Sequence, residues 1–160
     1  MCIRDRFIDD SPNMTLVEIR AKCRRLKQQH GLRLIVIDYL QLMTSGKRVE
    51  SRQQEVSEFS RALKLLAKEL ELPVIAMSQL NRGSEQRQDK KPMLSDLRES
   101  GSIEQDADMV MMIHREDMYE KESPRAGEAD IMLVKHRNGP TANVTVAFQG
   151  HYSRFVDMAN

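Results

Sequence analysis

The sequence contains no tryptophan and is only 4% aromatic. Little is thereby available to stack bases on aromatic rings, and any nucleic-acid contact should run to the backbone and be insensitive to base identity. Cysteine is equally scarce. The two present, Cys2 and Cys23, make neither a disulfide framework nor a metal-ligand spacing. Cys23 lies in a helical pattern and reads as a packed thiol, and a reducing cytoplasm suits this usage. The formal net charge is +1. That excludes a global basic field and makes any polyanion site local. The longest apolar runs fall far short of the roughly 20 residues of a membrane-spanning helix. With no charged-then-apolar leader, neither a membrane protein nor a secreted one is expected.

What is present centres on Leu34-Ile35-Val36-Ile37-Asp38-Tyr39-Leu40-Gln41-Leu42. Four consecutive apolar residues run straight into a carboxylate. A short β-branched run without polar alternation predicts a strand buried on both faces, as in a parallel sheet covered by helices. The carboxyl end of such a strand is where open α/β sheets bind ligands, and in P-loop nucleotide hydrolases an Asp there holds the magnesium ion of the triphosphate. An acid that merely caps the next element is the plainer alternative.

The flanking segments fit the same class. Phe7-Ile8-Asp9-Asp10 reads as the end of a strand, followed by the breaker Ser11-Pro12-Asn13. Thr15 and Glu18 have capping-box spacing. They open an amphipathic helix with Leu16, Ile19, Cys23 and Leu26 on one face, ended by Gly31. Its basic residues, Arg20, Lys22, Arg24, Arg25 and Lys27, read as a solvated face. Ser51 with Gln54 opens a second helix, striped by Val56, Phe59, Leu63, Leu66 and Leu70. Val74–Met77 is a second buried strand that exits into Ser78-Gln79-Leu80-Asn81-Arg82. Alternating strands and helices predict a parallel sheet with crossover connections. Gly46-Lys47 is not a phosphate loop, because Gln41 stands where its first Gly belongs and Arg48 where its Ser or Thr belongs.

Farther along, residues 82–92 lack an apolar period and read as a mobile loop. Ile103–Asp106 is a short helix and Met109–Ile113 a third buried strand. Residues 115–127 read as a charged surface loop and Ile131–Val134 as a strand. Asn138-Gly139 is a hairpin signal, with Val144–Phe148 as the return strand and Tyr152–Val156 as a further edge. No linker divides the chain into domains.

Four residue groups could carry chemistry. Asp38 and Gln79 end two strands that a doubly wound sheet can place side by side, and a neutral amide can sense a terminal phosphate without a second buried charge. Tyr39 follows Asp38, so no water-activating carboxylate stands next to it. Alternation puts Lys135 and Arg137 on one face of the hairpin end, where two cations can neutralise charge on a transferring phosphoryl group of a neighbouring subunit. A solvated hairpin end is the plainer reading. Arg98, Glu99 and Gly101 are candidates for single-stranded nucleic acid, because Gly admits close phosphate approach. His114 and His136 read as structural.

Several of these stretches together resemble one family. They are Phe7–Pro12, Leu34–Met43, Ser78–Arg82, Asp96-Leu97-Arg98-Glu99-Ser100-Gly101-Ser102-Ile103-Glu104-Gln105-Asp106-Ala107-Asp108, and Lys135-His136-Arg137-Asn138-Gly139-Pro140. From about Phe7 onward the chain resembles the C-terminal motor domain of the DnaB family of bacterial replicative DNA helicases, which are hexameric and RecA-like. The resemblance implies a RecA-like P-loop NTPase core with a mostly parallel sheet, flanking helices and a C-terminal β-hairpin. The family's first strand, phosphate loop with its helix, catalytic Glu and N-terminal collar fall outside the match, and residues 1–6 do not match. Residues 7–160 would then be a partial motor domain that is not expected to act as an ATPase alone. By the resemblance, Asp38 is the magnesium-associated acid, through water, and Gln79 couples nucleotide to DNA. Arg98, Glu99 and Gly101 touch the DNA backbone, and Lys135 and Arg137 are fingers reaching the adjacent subunit's nucleotide. It further implies ATP and Mg2+ as cofactors and a cytoplasmic homohexamer on single-stranded DNA, with primase and a helicase loader as partners. The rivals are another RecA-like ATPase, of a recombination or phage helicase, and a non-enzymatic remnant that binds DNA or assembles with intact subunits.

Overall fold

The structure is a computed structural model. It describes residues 2–3, 6–12, 14–44, 51–81, 83–100 and 102–158, with the backbone alone at residues 2, 3, 84, 85 and 98–100. Expectations for Met1, Arg4, Asp5, Asn13, Gly46-Lys47-Arg48, Arg82 and Gly101 fall outside the described residues. The chain divides into two compact units, residues 1–79 and residues 80–160.

In the first unit, a two-stranded antiparallel ribbon pairs β1 (Cys2–Ile3) with β2 (Arg6–Phe7). The strand thus ends at Phe7, short of Asp10. Helix α1 (Leu16–His30) begins with the capping box that its spacing predicts. The Glu18 N–H donates to the Thr15 hydroxyl at 3.4 Å, and the Thr15 N–H donates to the Glu18 carboxylate at 2.8 Å. It stops at Gly31, whose φ of +65° is the left-handed conformation that glycine adopts without steric cost. Helix α2 (Arg52–Leu70) is capped by Ser51, whose hydroxyl accepts from the Gln54 N–H at 3.2 Å. Its buried residues are Val56, Phe59, Leu63, Leu66 and Leu70, the stripe read from spacing. Ile19 and Cys23 are buried on α1, and burial raises the Cys23 thiol pKa.

The basic face of α1 is not simply solvated. Arg20 pairs with Glu69 of α2 at 2.5 Å, Arg24 pairs with the same carboxylate, and the Lys27 ammonium donates to the Leu70 carbonyl. The run therefore ties one helix to the end of the other.

Helix α2 connects the parallel neighbours β3 (Ile35–Ile37) and β4 (Val74–Ala76), paired Ile35↔Val74, Val36↔Ile75 and Ile37↔Ala76. Burial on both faces does not hold. Ile35 is buried, but the register partners Val36 and Ile75 are 54% and 42% exposed. Successive residues of a strand point to opposite faces, so Val36 and Ile75 share the face turned away from the buried Ile35.

The second unit contains an antiparallel sheet in the order β5 (Met109–His114), β6 (Glu128–His136), β7 (Ala142–Gln149) and β8 (Arg154–Val156). Met109–Ile113 is therefore not a strand buried on both faces of a parallel sheet. Val110 and Met112 are buried while Met109, Met111 and Ile113 are exposed, the one-sided pattern of an antiparallel sheet. The hairpin between β6 and β7 forms, but neither Asn138 nor Gly139 has a positive φ. The Asn-Gly type I′ turn does not form: β6–β7 pairing ends at Leu133↔Ala142, leaving a wider connection. Short helices α3 (Gly83–Gln86) and α4 (Ile103–Asp106) precede the sheet.

A buried carboxylate anchors the 115–127 segment to this sheet. Asp130 is 6% exposed. It accepts from Arg125 Nη1 and Nη2 at 3.0 and 2.7 Å and from the Thr145 hydroxyl at 2.9 Å. The Arg125 hydrogen bonds hold its pKa down at about 2 from an ordinary 3.8, against the opposing effect of burial. A depressed carboxylate contributes stability above its unfolded pKa and loses it as pH falls through the folded value. Acidification from about pH 4 to about pH 2 should cost the unit roughly 2 kcal/mol from this group. Denaturant midpoints measured over that range should show the drop, and Asp130→Asn should remove most of this pH-dependent component.

Candidate functional site

The hydrogen-bond ladder between β3 and β4 runs past the strand ends. The Met77 N–H donates to the Ile37 carbonyl at 2.9 Å, and the Leu40 N–H donates to the Met77 carbonyl at 3.0 Å. Asp38 and Gln79 therefore follow two paired parallel strands and leave from the same edge. Both are exposed. The Asp38–Tyr39 peptide is cis, and a 3-10 turn over Leu40–Leu42 follows.

Gln41, inside that turn, joins the two exits, a role sequence reading missed. Its Nε2 donates to the Ser78 hydroxyl at 3.0 Å and to the Gln79 carbonyl at 3.3 Å, while its Oε1 accepts from the Gln79 N–H at 3.3 Å. Arg52, at the start of α2, donates to the Met43 carbonyl at 3.1 Å and also to the Gln41 carbonyl, and it pairs with Glu55. The available signal was a lone amide between Leu40 and Leu42.

Lys135 and Arg137 do share a face. Lys135 donates to the Glu104 carbonyl, and Arg137 Nη2 donates to the next carbonyl, that of Gln105, at 2.8 Å. These are carbonyls of the short helix α4. Arg137 also pairs with Asp108 at 3.3 Å, and its N–H donates to the Asp108 carbonyl at 2.8 Å. His136 lies 3.3 Å from the Pro140 carbonyl and packs on the turn, where a Cβ at Gly139 would collide with its ring.

The backbone of Arg98 and Glu99 lies in a 3-10 segment over Leu94–Ser100. That segment starts from a buried hub. Asp96, 4% exposed, accepts from both Arg87 Nη atoms at 2.8 Å and from the Met93 N–H at 2.8 Å. The Arg87 hydrogen bonds lower the Asp96 pKa and raise that of Arg87. Residues 83–91 are thus a short helix and a clasped turn rather than a structureless loop.

Magnesium characteristically takes one or two carboxylates and fills its shell with water and substrate phosphate. The exposed Asp38 fits that donor chemistry, and no described hydrogen bond or ion pair competes for it. No group of three or more His, Cys, Asp or Glu is poised to hold an ion among the described residues. No Gly-x-x-x-x-Gly-Lys-Ser/Thr phosphate cradle occurs in the sequence.

The DnaB-like helicase C terminal domain model matches residues 3–157. The chain belongs to this family. It is 80% identical over 153 residues to the replicative DNA helicase DnaB of Leifsonia xyli subsp. xyli, covering 96% of this chain and 34% of that protein. It is 58% identical over 153 residues to the replicative DNA helicase DnaC of Bacillus subtilis, covering 95% of this chain and 34% of that protein. Among solved structures, a DnaB-like replicative helicase described with its interactions with primase matches with a TM-score of 0.87 and 46% identity, over 91% of this chain and 36% of that one. A second solved structure, of an ATPase domain, matches at the same TM-score and identity, over 91% of this chain and 52% of that one. The chain spans about a third of the length of these two helicase relatives, and its fold is that of DnaB-like ATPase domains, which is RecA-like. No described helix is long and apolar enough to cross a membrane.

Removing the clasp at the root of the 94–100 segment should loosen it. Arg87→Ala leaves a buried carboxylate without its cation, a loss of several kcal/mol at most and about 1–3 for the unpaired group. Amide exchange across residues 83–97 should rise while the β6–β7 amides keep their protection. Unchanged exchange would count against the clasp.

Proposed function

We propose that this chain is part of a replicative DNA helicase motor that couples ATP hydrolysis to movement along single-stranded DNA and duplex unwinding as a ring-shaped homohexamer. The observation that carries this reading is the common edge from which Asp38 and Gln79 leave the β3–β4 pair, in a chain of the DnaB-like family. Bound ATP and Mg2+ supply the phosphoryl group and its charge-neutralising cation. Asp38 would hold the metal. Gln79 reports the state of the terminal phosphate to the DNA-contacting segment through a neutral amide, without adding a charge.

Lys135 and Arg137 act on the nucleotide of the adjacent subunit. In this chain they rest on carbonyls of α4, and the Arg137–Asp108 pair is about half exposed on both sides. Exposed pairs contribute about 0–1 kcal/mol. A neighbouring phosphate, which binds Arg bidentately and more strongly, can therefore take the guanidinium over. Arg98, Glu99 and Gly101 serve the DNA backbone. Primase and a helicase loader are the protein partners, and the cytoplasm the site of action. Without a phosphate cradle, the 160 residues alone should bind ATP no better than millimolar, about −4 kcal/mol. Micromolar binding by the purified chain would overturn the partial-site reading.

Two substitutions test the roles in a full-length protein carrying this segment. Arg137→Ala should reduce hydrolysis by about 10³-fold or more, as for an arginine finger, and leave the ATP dissociation constant within a few-fold. Equal loss of binding and turnover would refute action across an interface. Arg98→Ala should weaken single-stranded DNA binding equally for all sequences and lower the salt slope by about one. A base-dependent loss would remove the backbone-contact role.

A further inference from the structure

We infer that Gln41 is a positioning residue for Gln79. The inference rests on the reading of Gln79 as the amide that couples nucleotide to DNA. In a parallel sheet, every second residue of a strand offers both its N–H and its C=O to one neighbour. Met77 does so toward β3, giving its N–H to Ile37 and accepting from Leu40. Gln79 is the next residue with that orientation. By then the β3 chain has turned into the 3-10 segment Leu40–Leu42 and offers no backbone rung. The Gln41 side chain takes its place: Oε1 accepts from the Gln79 N–H, and Nε2 donates to the Gln79 C=O, both at 3.3 Å. One primary amide thus reproduces both halves of a missing rung, which only Gln or Asn can do with a donor and an acceptor in one plane.

The rung is itself braced. Gln41 Nε2 also donates to the Ser78 hydroxyl at 3.0 Å, and Arg52 holds the Gln41 and Met43 carbonyls from the start of α2. Gln79 is therefore held beyond the last residue of β4, exposed at the edge where Asp38 also emerges. Without Gln41, the Gln79 N–H would lose its described partner and the Gln79 carbonyl would keep only the Ser78 hydroxyl at 3.4 Å, a weak hold on the coupling amide. Gln41 touches no reacting atom in this scheme and acts only through the placement of Gln79.

The test uses the full-length protein with Gln41→Ala, the near-isosteric Gln41→Glu, Gln79→Ala and the Gln41→Ala/Gln79→Ala double variant. In Gln41→Ala, DNA-stimulated kcat should fall about tenfold with KM for ATP within about twofold, the pattern of a lost transition-state interaction. Gln41→Glu should behave alike, because a carboxylate accepts from the Gln79 N–H but repels its carbonyl. It carries the comparison if the alanine variant does not fold. The double variant should be no worse than Gln79→Ala alone, since residues acting through one another are non-additive. Independently of turnover, amide exchange at Gln79 should rise about tenfold or more in either Gln41 variant, with exchange in α2 unchanged. A silent Gln79→Ala would bring down the coupling role and this inference with it. An impaired Gln79→Ala beside a wild-type Gln41→Ala, an additive double variant, or unaltered exchange at Gln79 would overturn the positioning role alone.

Discussion

The pairing of β3 with β4 is the constraint on which the first unit depends. It fixes the edge from which residues 38 and 79 emerge, and it does so with few bonds. Each strand contributes three paired residues, and the ladder then continues through Met77 to Ile37 and Leu40. Such a short pair has little intrinsic stability. It is held because α2 lies between the strands in sequence and buries a continuous apolar stripe, with Phe59 wholly inside. The opposite face of the pair, with Val36 and Ile75, is open. Local order at the strand exits therefore falls to polar groups, which explains why an amide and a guanidinium, Gln41 and Arg52, are spent on backbone partners there.

The second unit solves a similar problem with buried acids. Asp96 and Asp130 are both nearly inaccessible, and each is met by both terminal nitrogens of one arginine. A buried carboxylate without that geometry would be strongly destabilising. Each pair therefore fixes one otherwise irregular segment: Arg87 ties residues 83–91 to the 3-10 segment carrying Arg98 and Glu99, and Arg125 ties the 115–127 segment to β6. Planar, two-pronged recognition is what makes arginine rather than lysine suited to both places.

The helices were legible in the sequence because their signals are local. Thr15 with Glu18, Ser51 and Gly31 each act within one turn, and the α2 stripe repeats within a single helix. Asp38, Gln79, Lys135 and Arg137 were legible as candidates from position and resemblance, and the shared face of the last two followed from strand alternation. Burial on both faces was misread for Ile35–Ile37 and for Met109–Ile113, because an apolar run does not reveal whether a second layer is present to cover it. The Asn138-Gly139 signal was local and real, yet β6 continues into pairing with β5 at Lys135 and His136, so the turn widened. The Arg87–Asp96 and Arg125–Asp130 clasps were invisible, since charged residues look alike in sequence whether they meet or face water. Gln41 escaped for another reason: a side chain imitating a backbone rung has no periodicity.

The two cations of the β6 end illustrate how such an arrangement can serve a reaction without being committed to it. Arg137 and Lys135 are not idle; both are held by carbonyls of α4, whose C-terminal end carries partial negative charge. That placement narrows their rotamers and would reduce the entropy lost in the phosphate binding proposed for them. The hold is nevertheless weak, because a four-residue helix has little dipole and Arg137 remains about half exposed. A neutral carbonyl that exchanges for a phosphate oxygen converts an ordinary hydrogen bond into a charge-assisted one. The same geometry therefore pre-orders the cations and lets them go, provided that a strongly charged acceptor arrives.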